Sequence, residues 1–429
     1  MKVVHLTTSA GRAGGGAYAS AYRIHASLRE LGVASEMLCS IRRVDDPSVT
    51  ELPRKGAAGW RRRLAIRLDG TPLRLFRPKP HMPFNNGFVG ALAAARHPLV
   101  QSADVLQLYW VAAGFLSVRS LGSLLGLGKP VVWRLSDMWA FTGGCHYPLE
   151  CQRYREHCGH CPELERPFAY DISRLNFELK RAAYGAGAFT IVTPSRFLAS
   201  ACRQSALLGH ARIEQIPTGI DVNAFCPRDR VRARARLGLP ASGRVVLFGA
   251  RGGLSDPRKG GRFAVEAAQY IAKTERGGAA PPVCFAVFGR KELVLEGVTS
   301  SVNLGLLDDE QSLADAYSAA DVFLAPSLQD NLPNTVLEAI ACGCPVVGFR
   351  DAGLDDAIRD GQSGFLVPRG DAVALGEACR RVLEDADLAA HLRESARLLA
   401  EHEFDQDLQA QRFLSLYREL LDQRSLKPA

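Results

Sequence analysis

A short apolar strand that runs into a glycine loop and then a helix opens this 429-residue chain, and the same series starts again past its midpoint. Residues 3–7 read as the first strand and Gly11-Arg12-Ala13-Gly14-Gly15-Gly16 as the loop. Ala17, Ala21, Ile24, Leu28 and Leu31 then recur at steps of four and three, one helical face, and Gly32 supplies a stop. Strands are predicted next at 33–39, 105–109, 130–135, 189–192 and 212–216, alternating with helices. The restart is a buried strand at 244–249, a helix at 262–273, and strands at 283–288, 321–325 and 345–348. Alternation of this kind specifies an α/β chain whose parallel sheets are covered on both faces. Ile216-Pro217-Thr218-Gly219-Ile220-Asp221 is the natural joint, with a proline and a glycine where one series ends. The expectation is two doubly wound, Rossmann-like domains, 1–216 and 217–405, with a helical tail at 406–429 that packs back on the first.

Composition narrows the class. Apolar residues are 47% and charged residues 23%, the balance of a globular protein. The first six residues turn polar at Thr7, so no signal peptide is expected, and the apolar stretch near 105–118 is broken by Gln107 and ended by Arg119. A cytoplasmic protein is the reading. The formal charge of +8 is uneven: Arg54, Lys55, Arg61, Arg62, Arg63, Arg67, Arg74, Arg77 and Lys79 face only Glu51 and Asp69 in that stretch. Trp60, Leu64, Ile66, Leu73, Leu75 and Phe76 interleave with them. Two readings stay open, a solvated basic loop and a segment lying on an anionic membrane surface on its inner face. No nucleic-acid module accompanies the charge, so no nucleic-acid partner is expected.

The most informative stretch runs from Ala320 to Val347. A buried strand ends at Pro326-Ser327, a polar loop follows, a helix begins near Asn334, and Gly343 stops it. A helix N-terminus just beyond a strand's C-terminal end favours phosphate, through unpaired N–H groups and the helix dipole. Asp330 and Glu338, with seven residues between them, place one carboxylate before the helix and one inside it, and both are expected in the same crevice. Carboxylates there can accept hydrogen bonds from sugar and ribose hydroxyls.

This stretch resembles the acidic-pair motif of family-4 retaining glycosyltransferases, and Glu338-Ala339-Ile340-Ala341-Cys342-Gly343-Cys344-Pro345-Val346-Val347 matches it closely. Position 330 is Asp where the family usually has Glu. Phe248-Gly249-Ala250 with Lys259-Gly260, Thr193-Pro194-Ser195, the 216–221 joint and Ala352-Gly353-Leu354-Asp355-Asp356 resemble further marks of that family. The resemblance implies the GT-B fold, two Rossmann-like domains facing across a cleft, and hexosyl transfer with retention at the anomeric carbon and no catalytic metal. It implies that Lys259 meets the donor diphosphate, that Glu338 accepts from ribose and that Asp330 approaches the sugar. Arg251, Arg258, Asn331, Asn334 and Thr335 complete the donor set on the second domain.

Trp133-Arg134-Leu135-Ser136-Asp137-Met138-Trp139-Ala140-Phe141-Thr142-Gly143-Gly144-Cys145-His146-Tyr147 resembles bacterial enzymes of colanic-acid, capsule and O-antigen assembly that carry a cysteine-rich loop. Those read Leu-His-Asp-Met-Trp, so Ser136 replaces a histidine that contacts the donor sugar in the wider family. His146 reads as its substitute or as a structural histidine. The resemblance implies a saccharide acceptor, expected to be lipid-linked, entering from the first domain near Asp137, an orienting group. Gly15 and Gly16, at a helix start, are candidates for close approach to donor phosphate or acceptor.

Cys145, Cys151, Cys158 and Cys161 form Cys-x5-Cys-x6-Cys-x2-Cys, with His146, His157 and His160 among them. Four thiolates at this spacing suit a closed, structural zinc site, whereas the remaining cysteines read as small core residues. Two other functions fit parts of the sequence. A two-Rossmann epimerase or phosphorylase shares the crevice. A non-enzymatic zinc and nucleic-acid binding protein uses the cysteine loop and basic stretch but leaves 330–345 unexplained.

Overall fold

The computed structural model describes all residues except 12–14, 80–82, 251–255, 275–282, 291–294, 299, 352 and 427–429. It divides into two units, Met1–Pro217 with Asp407–Ala429, and Thr218–Gln406. Each boundary lies one residue beyond the one expected from sequence.

The first unit contains β1 (Lys2–Ala10), α1 (Gly16–Glu30), β2 (Ala34–Arg42), β3 (Val49–Glu51), α2 (Gly56–Gly70), α3 (Leu73–Phe76), α4 (Pro98–Ser102) and β4 (Val105–Leu108). It continues with α5 (Val118–Leu125), β5 (Val131–Arg134), α6 (Ile172–Tyr184), β6 (Thr190–Thr193), α7 (Arg196–Arg203) and β7 (Arg212–Gln215). The strands form one parallel sheet in the order β3-β2-β1-β4-β5-β6-β7. Successive residues of a strand point to opposite faces, and here both faces are apolar. Val4, Leu6, Leu106 and Trp133 pack with Leu121, Phe177 and Leu198 of α5, α6 and α7. Val3, Met37, Val105 and Val132 pack on the other side with Ile24 and Leu28 of α1.

The second unit contains α8 (Arg230–Arg236), β8 (Val245–Ala250), α9 (Gly261–Thr274), β9 (Cys284–Gly289), β10 (Ser301–Gly305), α10 (Glu310–Ala319) and β11 (Val322–Ala325). After these come α11 (Asn334–Ala341), β12 (Val346–Phe349), β13 (Gly364–Val367), α12 (Ala372–Glu384) and α13 (Ala386–Glu403). Its parallel sheet runs β10-β9-β8-β11-β12-β13 around a single core. The chain then returns as α14 (Gln406–Ser425), whose Phe413 and Tyr417 complete the face of the first sheet that α1 covers only in part. The Tyr417 hydroxyl reaches Gln107 of β4 at 2.8 Å, satisfying both buried groups.

Three strands were not expected: β3, β10 and β13. The basic stretch is not a loop: residues 56–70 are helix α2, with Trp60, Ile66 and Leu68 exposed. Leu31, expected on the buried face of the first helix, lies just past its end and is 40% exposed.

A buried polar chain crosses the first unit. His5 joins Tyr109 at 2.9 Å and Ser35 at 2.8 Å, and His25 joins Ser35 at 2.8 Å and Ser48 at 2.9 Å. Burial holds His5 well below its ordinary 6.5 and pushes His25 down to about 4. The native state therefore refuses protons that the unfolded chain accepts below about pH 6.5, so stability falls as pH drops from there towards 4. Thermal midpoints measured across that window should drop steeply for the native sequence. They should drop less for His25→Gln, which keeps polar contact to Ser35 and Ser48 without a titrating ring.

Candidate functional site

In each sheet the chain builds outward from one strand and then returns to add strands on its other side. Ligands of doubly wound sheets gather at that reversal, beyond the strands' C-terminal ends. In the second unit the reversal lies between β8 and β11, and the loops leaving these two strands are clipped together. Leu328 N–H donates to the Arg258 carbonyl at 2.7 Å. Gly260, at φ 69°, lies so close to the other loop that a Cβ would stand 1.8 Å from the Pro326 oxygen. Gly353 does the same from the far side: at φ 83°, its Cβ would stand 2.0 Å from the Asp330 oxygen.

The clip sets Lys259 against Asp330, whose carboxylate accepts from the Lys259 ammonium and, at 2.9 Å, from the Asn331 N–H. Burial pushes the Asp330 carboxyl up, but the Lys259 and Arg258 cations outweigh it and hold it below the usual carboxylate range. Arg258 is itself buried and pairs with Asp256 at 2.5 Å. A cavity of about 20 Å³ beside Lys259 is lined by Gly249, Ser327 and Thr335, at the start of α11. Pro333 precedes that helix and no side chain caps it; Asn334 is its first residue. Backbone N–H groups, the helix dipole and a lysine thus face one small cavity, a setting that favours negative charge. Arg251 lies outside the described residues.

Glu338 is buried in α11, and its carboxylate accepts the hydroxyl of Tyr317, from α10, at 3.0 Å. Tyr317 is fully buried and was not singled out in the sequence, where nothing distinguishes it from a core aromatic.

The first unit has its reversal between β1 and β4. Gly15, at φ 115°, and Gly16 stand at the start of α1, and Gly14 lies outside the described residues. Tyr18 of α1 meets the Trp110 ring edge-on at 5.7 Å. Trp110 donates its indole N–H to Asp137 at 3.0 Å, and Asp137 also takes the Trp139 N–H at 2.9 Å. His146 is held through both ring nitrogens, at 2.7 Å to Asp137 and 2.8 Å to Asn85. Burial raises the Asp137 carboxyl, but His146 and the N–H donors prevail and keep it below its ordinary range. His146 is thereby fixed between Asp137 and Asn85. Ser136 accepts from the buried Arg134 at 3.0 Å. Trp110 and Asn85 were missed in the sequence because each belongs to a loop distant from 137 along the chain.

Cys145, Cys151, Cys158 and Cys161 border one small cavity below this loop. Burial pushes Cys158 and Cys161 up to about 12, so as free thiols they are neutral and poor nucleophiles. His157 and His160 are exposed.

The clip itself is testable. Gly260→Ala should cost at least about 2 kcal/mol in urea unfolding, combining left-handed strain with the clash at Pro326. Gly238→Ala is the control: at φ 64° with nothing within 4 Å of its Cβ, it carries the strain alone. Equal losses would show that the close approach of the loops is not needed.

Residues 244–385 match the family model described as Glycosyl transferases group 1. The chain is 35% identical over 225 residues to a D-inositol 3-phosphate glycosyltransferase of Acidothermus cellulolyticus, covering 50% of this chain and 49% of that one. The match thus spans about half the length of the relative. Sucrose-phosphate synthase from Thermosynechococcus elongatus superimposes with a TM-score of 0.67 at 19% identity, over 99% of this chain and all of that one (100%). The Anabaena protein HepE, solved with UDP and glucose, gives 0.62 at 16% identity over 98% and 100%. At such identities the likeness is one of fold. The chain therefore has the two-Rossmann GT-B fold, and the stretch similar to glycosyl transferases group 1 lies in its second unit.

Proposed function

We propose that this chain is a retaining glycosyltransferase that moves a hexosyl group from a nucleoside-diphosphate sugar to a hydroxyl of a saccharide acceptor. The observation that carries this reading is the Lys259–Asp330 pair beside the uncapped start of α11, inside the matched domain. The donor diphosphate takes Lys259, with Arg258 and the α11 amides beside it. Asp330, kept ionised by its cations, is left to accept from a sugar hydroxyl. Glu338, steadied by Tyr317, accepts from ribose. The nucleoside extends along the same sheet edge towards Arg290 and Asn303, which border an open cavity of about 610 Å³ beyond β9 and β10.

In the chemical step the bond from the anomeric carbon to the diphosphate oxygen breaks and its electron pair leaves with the diphosphate. The acceptor oxygen bonds on the same face, and its proton passes to a donor phosphate oxygen. Negative charge grows on the leaving group, where Lys259 and the helix dipole already stand, so preorganised electrostatics is the main catalytic contribution. The step is proposed to need no metal. Asp137 orients the acceptor from the first unit. A surface-polysaccharide role with a lipid-linked acceptor is our preferred context, and the relatives' name makes inositol phosphate the first alternative acceptor.

Purified protein should be warmed by steps with candidate nucleotides, since a ligand that binds only the native state raises the thermal midpoint. With the stabilising donor, nucleoside diphosphate should be released only when acceptor is present, which separates transfer from epimerase or phosphorylase chemistry. Lys259→Ala and Glu338→Gln should each lower turnover by about 100-fold, the scale of losing one electrostatic contact at a developing charge. Wild-type turnover in either folded variant would sink the assignment.

The lipid-linked reading rests on α2, which exposes Trp60, Ile66 and Leu68 among Arg61, Arg63 and Arg67. Among the described residues no helix is long and apolar enough to cross a membrane. Binding should therefore be interfacial, favouring vesicles with anionic lipid, weakening with salt, and lost in an Arg61→Glu, Arg63→Glu, Arg67→Glu variant. Equal partitioning onto neutral vesicles would remove the electrostatic part.

A further inference from the structure

Outside the diphosphate crevice, the densest cluster of metal-ligating side chains is the cysteine loop. Cys145, Cys151, Cys158 and Cys161 all border one cavity of about 20 Å³, room for a single water-sized body. The cluster spans three pieces of chain that share no secondary structure, so no ladder or helix accounts for their convergence.

The backbone around the sulfurs is shaped for thiolates. Gly159, at φ 129°, and His160, at φ 46°, fold the chain into a tight knuckle between Cys158 and Cys161. The Gly143 N–H donates to the Cys158 sulfur at 3.1 Å, and the Glu163 N–H is directed at the Cys161 sulfur. Amides aimed at sulfur favour the ionised ligand and fix its orientation. Lys180 lies alongside: its side-chain nitrogen is fully buried, donates to the carbonyls of Trp139 and of Thr142 (2.9 Å for the latter), and lies 3.8 Å from the Trp139 ring. Four thiolates around a divalent ion leave a net charge of two minus, which favours the protonated form of the amine beside them. The neighbouring histidines do not compete. Both ring nitrogens of His146 are engaged by Asp137 and Asn85, and His157 and His160 face solvent.

We propose that Cys145, Cys151, Cys158 and Cys161 bind one zinc ion, and that the ion fixes the loop from Trp139 to His146. As they stand, no three His, Cys, Asp or Glu side chains among the described residues are set to hold an ion. Binding therefore draws the thiols inward over the cavity, releasing their protons. The site is closed by four protein ligands and leaves no position for water, so its part is structural. Cys145 directly precedes His146, and the carbonyls that hold Lys180 belong to the same loop. The ion thus acts on Asp137 only through the seating of its partner.

Full-length protein, made in zinc-supplemented medium and purified without chelators or metal resin, should carry about one zinc per chain by mass spectrometry. X-ray absorption should show four sulfurs at about 2.3 Å. Folded protein with less than about a tenth of an equivalent, or a shell containing nitrogen or oxygen, overturns the assignment. A Cys158→Ser, Cys161→Ser variant should lose the metal, and if it fails to fold, Cys151→Ser, at the half-buried ligand, is the milder probe and should shed zinc to a chelator at least about tenfold faster. Hydrogen exchange after zinc removal should quicken in 139–162 and not in 244–385. Unchanged protection in 139–162 would refute the fixing role, while loss of protection everywhere would show that the ion holds the whole fold and not this loop.

Discussion

Parallel strands joined by right-handed crossovers cannot fill both sides of a sheet in one pass. A chain that has built outward from its first strand must return and add on the other side. At that reversal two adjacent loops leave in opposite directions and a crevice opens between them. Both units obey this constraint, between β1 and β4 and between β8 and β11. Gly15, Tyr18, Trp110 and Asp137 gather at the first reversal; Lys259, Asp330 and Asn334 gather at the second. The chemistry-bearing residues are far apart in sequence because the reversal, not the chain, makes them neighbours.

Charge at such places has to be neutralised before any ligand arrives. Asp330 is met by Lys259 and Arg258, Asp137 by His146 and an indole N–H, and in the second core Asp321 by Arg234 at 3.1 Å and the Val245 N–H at 2.8 Å. An isolated buried carboxylate would take up a proton instead. The pairs differ in what surrounds them. Asp321 ties α8 to the start of β8, whereas Lys259–Asp330 stands at a helix start and a cavity.

Most of the strands could be read from the sequence because their residues are apolar on both faces and short runs end at glycine or proline. β10 could not: Ser301–Gly305 alternates exposed and half-buried positions at a sheet edge, which resembles a loop in composition. β3 is three residues long, too short for periodicity to register. Helix α2 was obscured by its charge, since its buried side consists of Gly59, Ala65 and Asp69 and lacks an apolar stripe. In the site, Lys259, Asp330, Glu338 and Asp137 were visible through a motif. Tyr317 and Trp110 were not, because a hydroxyl or indole N–H turned to a carboxylate exists only after the chain has folded, and the sequence marks that held Gly260 and Gly353 said nothing of the carbonyls they lie against.

The two departures from the motifs that the sequence resembles become intelligible at this level. Aspartate at 330 keeps its carboxylate close to its own backbone, where one oxygen takes the Asn331 N–H and the other takes Lys259. Gly353 presses on the Asp330 carbonyl, so the backbone cannot retreat to admit a longer arm. A glutamate would have to carry its carboxylate past Lys259 and give up the contact to the next residue's amide. The aspartate therefore organises its loop as well as pairing with the cation. Ser136 is likewise absorbed into local structure through Arg134, a guanidinium that burial pushes down to about 10 and that gains a hydroxyl acceptor there. Both positions thus make a bond inside their own unit.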